Sequence, residues 1–231
     1  MASTQKNCLQ ILSNRRNYIS NKRLSVKLEF ESGVRVADND CRTNIISATT
    51  PLFAAKGLNG VGVRELAGAA GVNLSMISYY FGGKEGLYAA VLTEQFAILE
   101  KVEEIEYMEN NTLQKFERYV RSTVLRYRKN PYLLSFYTSE LTNPTSCFEN
   151  IVKPAIKRVI EILLDTFNSG LSHDEYRDGL DPNDTVLALA GMINFYFLLE
   201  PITVETVDRS QERDEQLINH IMSIFTKGIL K

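Results

Sequence analysis

From about Cys41 onward, apolar residues recur three and four positions apart, the period of α-helices with one buried face. Ile45, Ile46, Leu52 and Phe53 form the apolar side of a first helix expected to end at Gly57. Pro51 should interrupt it and kink it near Ser47, because proline removes a backbone hydrogen bond. In "GVRELAGAAG", a second helix turns Val63, Leu66, Ala67 and Ala70 inward, and Gly71 suits the left-handed residue that closes a helix. A third helix, from about Leu74 to Tyr80, is stopped by Gly82 and Gly83, and Lys84 begins a long fourth one. Further helices are predicted near 112–129, 131–142, 147–169, 183–199 and 211–229, between Pro- or Gly-containing breaks such as "NPYLL" and "TNPTS". No long strand pattern competes, so the fold is expected to be all-α.

Residues 1–40 lack this period. Leu24, Val26, Leu28 and Phe30 alternate with polar neighbours, a hairpin signal that is marginal in water unless docked. A docked hairpin, a disordered arm and a translation start further downstream all fit this N-terminal extension.

Composition narrows the class. With 44% hydrophobic and 23% charged residues, the 231-residue chain reads as globular. Net charge is only -2, but residues 1–90 carry 11 Lys+Arg against 6 Asp+Glu and residues 91–231 carry 15 against 22. A basic N-terminal part therefore adjoins an acidic remainder. Cys8, Cys41 and Cys147 are too scattered for a disulfide framework, which fits a reducing, cytoplasmic compartment. His173 and His220 stand far apart with no nearby cysteine, so no metal site is expected. The N-terminus has no continuous apolar signal-peptide core. The run "TVLALAGMINFYFLL" is shorter than a membrane span and contains Asn194, so it reads as a helix buried on all sides rather than a membrane partner.

Two short helices joined by a Gly-containing turn, "VRELAGAAGVNLSMISYYF", match the helix-turn-helix plan, whose second helix lies in the DNA major groove. Ile77 is the strongly apolar residue placed to pack inward, which leaves Asn73, Ser75, Met76, Ser78 and Tyr79 to face outward. Small polar side chains there can reach base edges, and a tyrosine hydroxyl can bond a phosphate. The same motif also occurs purely as packing, and on that alternative the chain is a helical small-molecule-binding or protein-interaction module.

Residues 43–92 resemble the DNA-binding head of the tetracycline-repressor (TetR) family. The resemblance lies in Ala48, "LF" at 52 and 53, Gly57, "VRELA", "AAGV", "YYF" and "KEGL". Within that family "GVN" and "YYFGGKEGLY" are similar to the CecR subgroup. The resemblance implies an N-terminal three-helix helix-turn-helix head at 41–90 and a helical ligand-binding and dimerisation body at 91–231. It also implies a homodimer joined by the last two helices, a palindromic double-stranded DNA operator and a small-molecule effector. Carried over by position, Arg64 contacts DNA from the second helix, Asn73, Ser75 and Met76 face bases, and Tyr79 and Tyr80 meet the backbone. Lys84 would hold a phosphate beside the N-terminal N–H groups of the fourth helix, a place that favours anions. Two departures stand out: Gly62 replaces the usual hydroxyl residue at the start of the second helix, and Ser78 replaces a common tyrosine.

In the body, Phe116, Tyr119, Tyr127, Tyr132, Phe136 and Tyr137 form a dense aromatic set on two consecutive helices. They are candidate walls for an apolar or aromatic effector, with tyrosine hydroxyls as anchors, although aromatics also simply fill cores. Glu140 could neutralise a cationic ligand, although a Glu in such a helix is more often on the surface or capping a neighbour. The last helix sets Leu217, Ile218, Ile221, Met222, Ile224 and Phe225 on a broad stripe, more apolar surface than a monomer can hide beside the run from Thr185 to Leu199. No cofactor motif or catalytic constellation emerges: "GVGVRE" follows no strand, and Ser172, His173 and Asp174 are mere sequence neighbours. The expected protein is not an enzyme.

Overall fold

The computed structural model describes residues 40–100, 111–173, 175–203 and 210–231. The alternating stretch from Leu24 to Phe30 and Cys8 lie outside these. The chain divides into residues 1–47 and 48–231, and of the first part only the helical residues 40–47 are described.

Helix α1 covers residues 40–60 and continues through Pro51, with Gly57 at φ +68° near its end. Helix α2 is Val63–Ala70, α3 Leu74–Phe81 and α4 Lys84–Glu100. In the remainder lie α5 (Thr112–Lys129), α6 (Leu133–Thr142), a π-helical turn (Phe148–Val152), α7 (Lys153–Ser172), α8 (Pro182–Thr203) and α9 (Gln211–Ile229). Among the described residues no strand forms beyond an isolated bridge between Tyr176 and Leu230.

Two predicted boundaries move for local reasons. The segment expected at 147–169 begins as the π-helical turn, and α7 starts afresh beside Pro154, whose missing N–H fits a helix's first turn. Helix α8 runs past the expected end at 199 to Thr203, because Pro201 in a last turn removes only one helical bond and Glu200 is anchored by Arg128.

The core of the body is built from α5, α7, α8 and α9, where Phe116, Val120, Phe167, Leu189, Ile193 and Ile218 are fully buried. Phe116 meets Phe225 edge-on at 5.0 Å, and Phe167 stacks on Tyr176 at 4.5 Å. A Cβ at position 170 would lie 2.3 Å from the Tyr176 hydroxyl oxygen, so α7 carries Gly170 where that ring lies against it. Arg128 bridges α5 to both later helices: it donates through Nη1 to Glu200 and through Nε to Asp214 Oδ1 at 2.8 Å, and its guanidinium lies 4.8 Å from the Phe197 ring centre.

One expectation is corrected here. Helix α8 is not buried on all sides: Val186, Leu189, Ile193 and Phe197 face the core, whereas Phe195 is 60% and Ile202 79% exposed. Leu187, Leu198 and Leu199 are exposed as well. Hydrophobic run length reports apolarity but not how many sides a neighbour covers. By length and composition this 22-residue helix would also pass for a membrane span.

Candidate DNA-binding head and effector cavity

The head is set by glycine geometry at two turns. Gly71 closes α2 at φ 65°, its N–H reaching back to the last turn, while Val72 N donates to Ala67 O at 3.0 Å. Gly82 closes α3 at φ 74° and donates to Ser78 O at 2.9 Å. Both are left-handed positions that side-chain-bearing residues adopt at a cost. Gly86 has a different reason, which sequence reading missed: a Cβ there would sit 1.8 Å from the carbonyl oxygen of Phe81. The start of α4 therefore approaches the end of α3 more closely than any side chain permits.

Ile77 is fully buried and fixes the roll of α3. Asn73, Ser75, Ser78 and Tyr79 are consequently exposed, with Met76 and Tyr80 half-buried. Asn73 occupies the N-cap, yet its side chain caps nothing. Tyr79, 75% exposed, meets Tyr80 edge-on at 5.0 Å. Arg64 is exposed at the start of α2, where Gly62 supplies extended backbone and no side-chain cap. Lys84 begins α4 half-buried, and its Nζ donates to Val61 O at 3.3 Å, which holds the ammonium beside the start of α2. The eight residues proposed from sequence thus lie on α3, its N-cap and the first turns of α2 and α4.

Helix α4 leads from this head into the body, where it packs on α6, the π-helical turn and α7. Tyr88 on α4 donates to Glu140 Oε1 at 2.7 Å, and the Glu140 carboxylate also accepts from Thr145 N and Oγ1. Burial, then the hydrogen bond and charge of Glu140, push the Tyr88 hydroxyl up, so it stays protonated and donating. Glu140 is fully buried and committed to these bonds. It does not line the cavity described next, so the expected neutralisation of a cationic ligand is corrected to a structural tie between α4 and α6.

A cavity of about 70 Å³ lies between α5, α6, α7 and α8, with Leu99 of α4 at its edge. Of the aromatic set, Tyr119, Tyr127 and Tyr137 line it. Phe116 and Phe136 are instead buried outside its lining, and Tyr132 is 37% exposed, because α6 begins only at Leu133 and leaves that ring at the helix entrance. Tyr127 donates to Asn194 Oδ1 of α8 at 2.7 Å. Burial pushes the hydroxyls of Tyr119, Tyr127 and Tyr137 up, so all three are neutral. Three polar lining residues, Thr123, Arg126 and Asn194, were not anticipated. The signal was present in the sequence: Tyr119, Thr123, Arg126 and Tyr127 follow i, i+4, i+7, i+8 spacing and share one stripe of α5.

These features define a class: a helix-turn-helix head joined by one helix to a helical body with an internal cavity. Residues 45–91 match the family model described as bacterial regulatory proteins, tetR family. The chain is 29% identical over 138 residues to the probable HTH-type transcriptional regulator YttP of Bacillus subtilis (strain 168), covering 58% of this chain and 67% of YttP. Over 74 residues it is 35% identical to the HTH-type transcriptional repressor NicS of Pseudomonas putida (strain KT2440), covering 32% of this chain and 35% of NicS. The ketosteroid transcriptional regulator KstR2 of Mycobacterium tuberculosis shares the fold, with a TM-score of 0.67 at 18% identity over 82% of this chain and 95% of that one. So does AibR, whose structure is a complex with isovaleryl coenzyme A and operator DNA, at a TM-score of 0.66 and 14% identity over 80% and 97%. The family-model match over the head and these relatives support a TetR-family transcriptional regulator.

Proposed function

We propose that this regulator is a repressor that binds a palindromic operator as a homodimer and is released by a small molecule held in the body, with the head at 41–90 and the body at 91–231. The observation carrying the DNA reading is the face of α3: one buried isoleucine, and around it polar and aromatic side chains that no core uses. Asn73, Ser75, Met76 and Ser78 read base edges, Arg64, Tyr79 and Tyr80 hold the backbone, and Lys84 completes a phosphate contact at the start of α4. The bare apolar face of α8, with Ile224 of α9 51% exposed, supports a symmetric four-helix contact between two copies. Two recognition helices then sit one helical turn of DNA apart, roughly 34–36 Å.

Effector binding next to α5 and α8 shifts α4 through the Tyr88–Glu140 tie and changes that spacing, so effector and operator oppose each other by the same free energy. A regulator's working place is the cytoplasm, and the role requires neither catalysis nor a membrane. The test is selection from a random DNA pool with the full chain, repeated with Arg64→Ala and Lys84→Ala. A palindrome enriched by the wild type and lost in the variants is the expected result. No enrichment at any salt concentration would reduce the helix-turn-helix to a packing motif, since contacts to several phosphates must give a steep salt dependence.

A further inference from the structure

We propose that the body cavity selects a compact carboxylate, with Arg126 as the residue that recognises its charge; this deepens the effector reading above and rests on it. The lining is sharply divided. Leu133, Ile156, Val159, Leu163 and Val186 make an apolar wall, and among the described residues no aspartate or glutamate lines it and one cation, Arg126, does. The contrast with its neighbours on α5 is informative. Arg121 pairs with Glu117 and Glu215, and Arg128 with Glu200 and Asp214. Among the described residues Arg126 meets no carboxylate, although burial pushes its guanidinium down from its ordinary value, partly offset by Tyr119 and Tyr127.

A half-buried guanidinium without a counter-charge is a costly arrangement. A ligand carboxylate would satisfy it with a two-pronged hydrogen bond, which a guanidinium fork suits better than an ammonium does. A second polar group stands in the same lining. Thr123, 5% exposed, holds its Oγ1 buried in the lining beside Tyr119. Together these give a charged fork and a hydroxyl three residues apart on α5 in a largely apolar lining, the arrangement expected for an amphipathic anion rather than a cation.

Size narrows the class further. An engineered apolar cavity of about 150 Å³ accepts benzene, and the cavity here is about half of that at 70 Å³. A carboxylate with a short or branched hydrocarbon body fits with small side-chain movement, whereas a long chain would have to part α5 from α7. The ligand would touch Leu187 and Ala190 of α8, the helix whose other side is bare.

The test is calorimetric titration of the full chain with three near-isosteric probes of differing charge: isovalerate, isovaleramide and isoamylamine. Isovalerate is expected to bind at least tenfold more tightly than the other two. That preference should vanish in Arg126→Met, persist in weakened form in Arg126→Lys, and shrink a few-fold in Thr123→Val. Filling the chamber with Ala190→Leu should abolish binding of all three. Circular dichroism and thermal melts identify any variant that fails to fold, and the wild-type charge series is decisive by itself. Equal or tighter binding of the amide or amine, or a preference that survives Arg126→Met, would overturn the carboxylate assignment while leaving the cavity an effector site. Failure of all three probes to bind the wild type would overturn the assignment and remove support from the effector reading too.

Discussion

Helices α3 and α8 each present to solvent a face that a core would not choose, and they do so in opposite ways. Helix α3 hides one isoleucine and shows serines and a tyrosine; α8 hides Val186, Leu189, Ile193 and Phe197 and shows Phe195, Leu198 and Ile202. The supports differ as well. The position of α3 depends on backbone geometry, two left-handed glycines and a close approach at Gly86, with little side-chain core. Helix α8 depends on side chains, an aromatic core and the Arg128 cluster. A polar face held by backbone suits a ligand of fixed shape such as duplex DNA. An apolar face held by packing suits a second protein surface, where desolvation drives association.

The largest expected effect breaks the second support. Arg128→Ala leaves Glu200 and Asp214, each under a tenth exposed, without their cation. Stability should fall by about 3–5 kcal/mol, as for other broken buried pairs, read by chemical denaturation. Next, Phe195→Glu combined with Ile202→Glu removes the apolar face without touching the core. The dimer dissociation constant should rise by about 100-fold or more, about 2.7 kcal/mol, seen by light scattering; a wild-type monomer at micromolar concentration would defeat the comparison outright.

On the side of α3, Gly86→Ala drives a methyl group into the Phe81 carbonyl and should cost about 1–3 kcal/mol, the range for overpacking. Its signature is loss of operator binding at temperatures where the body remains folded. The smallest effect is expected for Tyr79→Ala, which should leave the melting temperature within a degree or so, as usual for exposed substitutions, and weaken operator binding by roughly tenfold, or about 1.4 kcal/mol. Equal loss of stability in the two glycine and tyrosine variants would show that α3 is supported by its exposed rings rather than by its backbone.

Much of this organisation is legible in the order of residues. The bounds of α5 and α9, the glycines that end α2 and α3, and the outward face around Ile77 follow from helical period and turn chemistry, because these depend on neighbours within a few positions. The site in the body was legible only in part. Tyr119, Tyr127 and Tyr137 reach the cavity, but Tyr132, Phe136 and Phe116 have the same composition and spacing and do not. Glu140 looked available on its own helix, yet its partner, Tyr88, is 52 residues away along the chain.

The sequence by itself therefore determined the helices and the helix-turn-helix, since local propensity and periodicity are written residue by residue. Tertiary structure alone decided three things: that Gly86 answers a carbonyl on the preceding helix, that Glu140 is spent on Tyr88, and that Arg126 is left facing a cavity while Arg121 and Arg128 are neutralised. Each depends on which side chains distant segments bring within a few ångströms. Charge pairing and close contact fall off over that same distance, so separation along the chain carries no record of them.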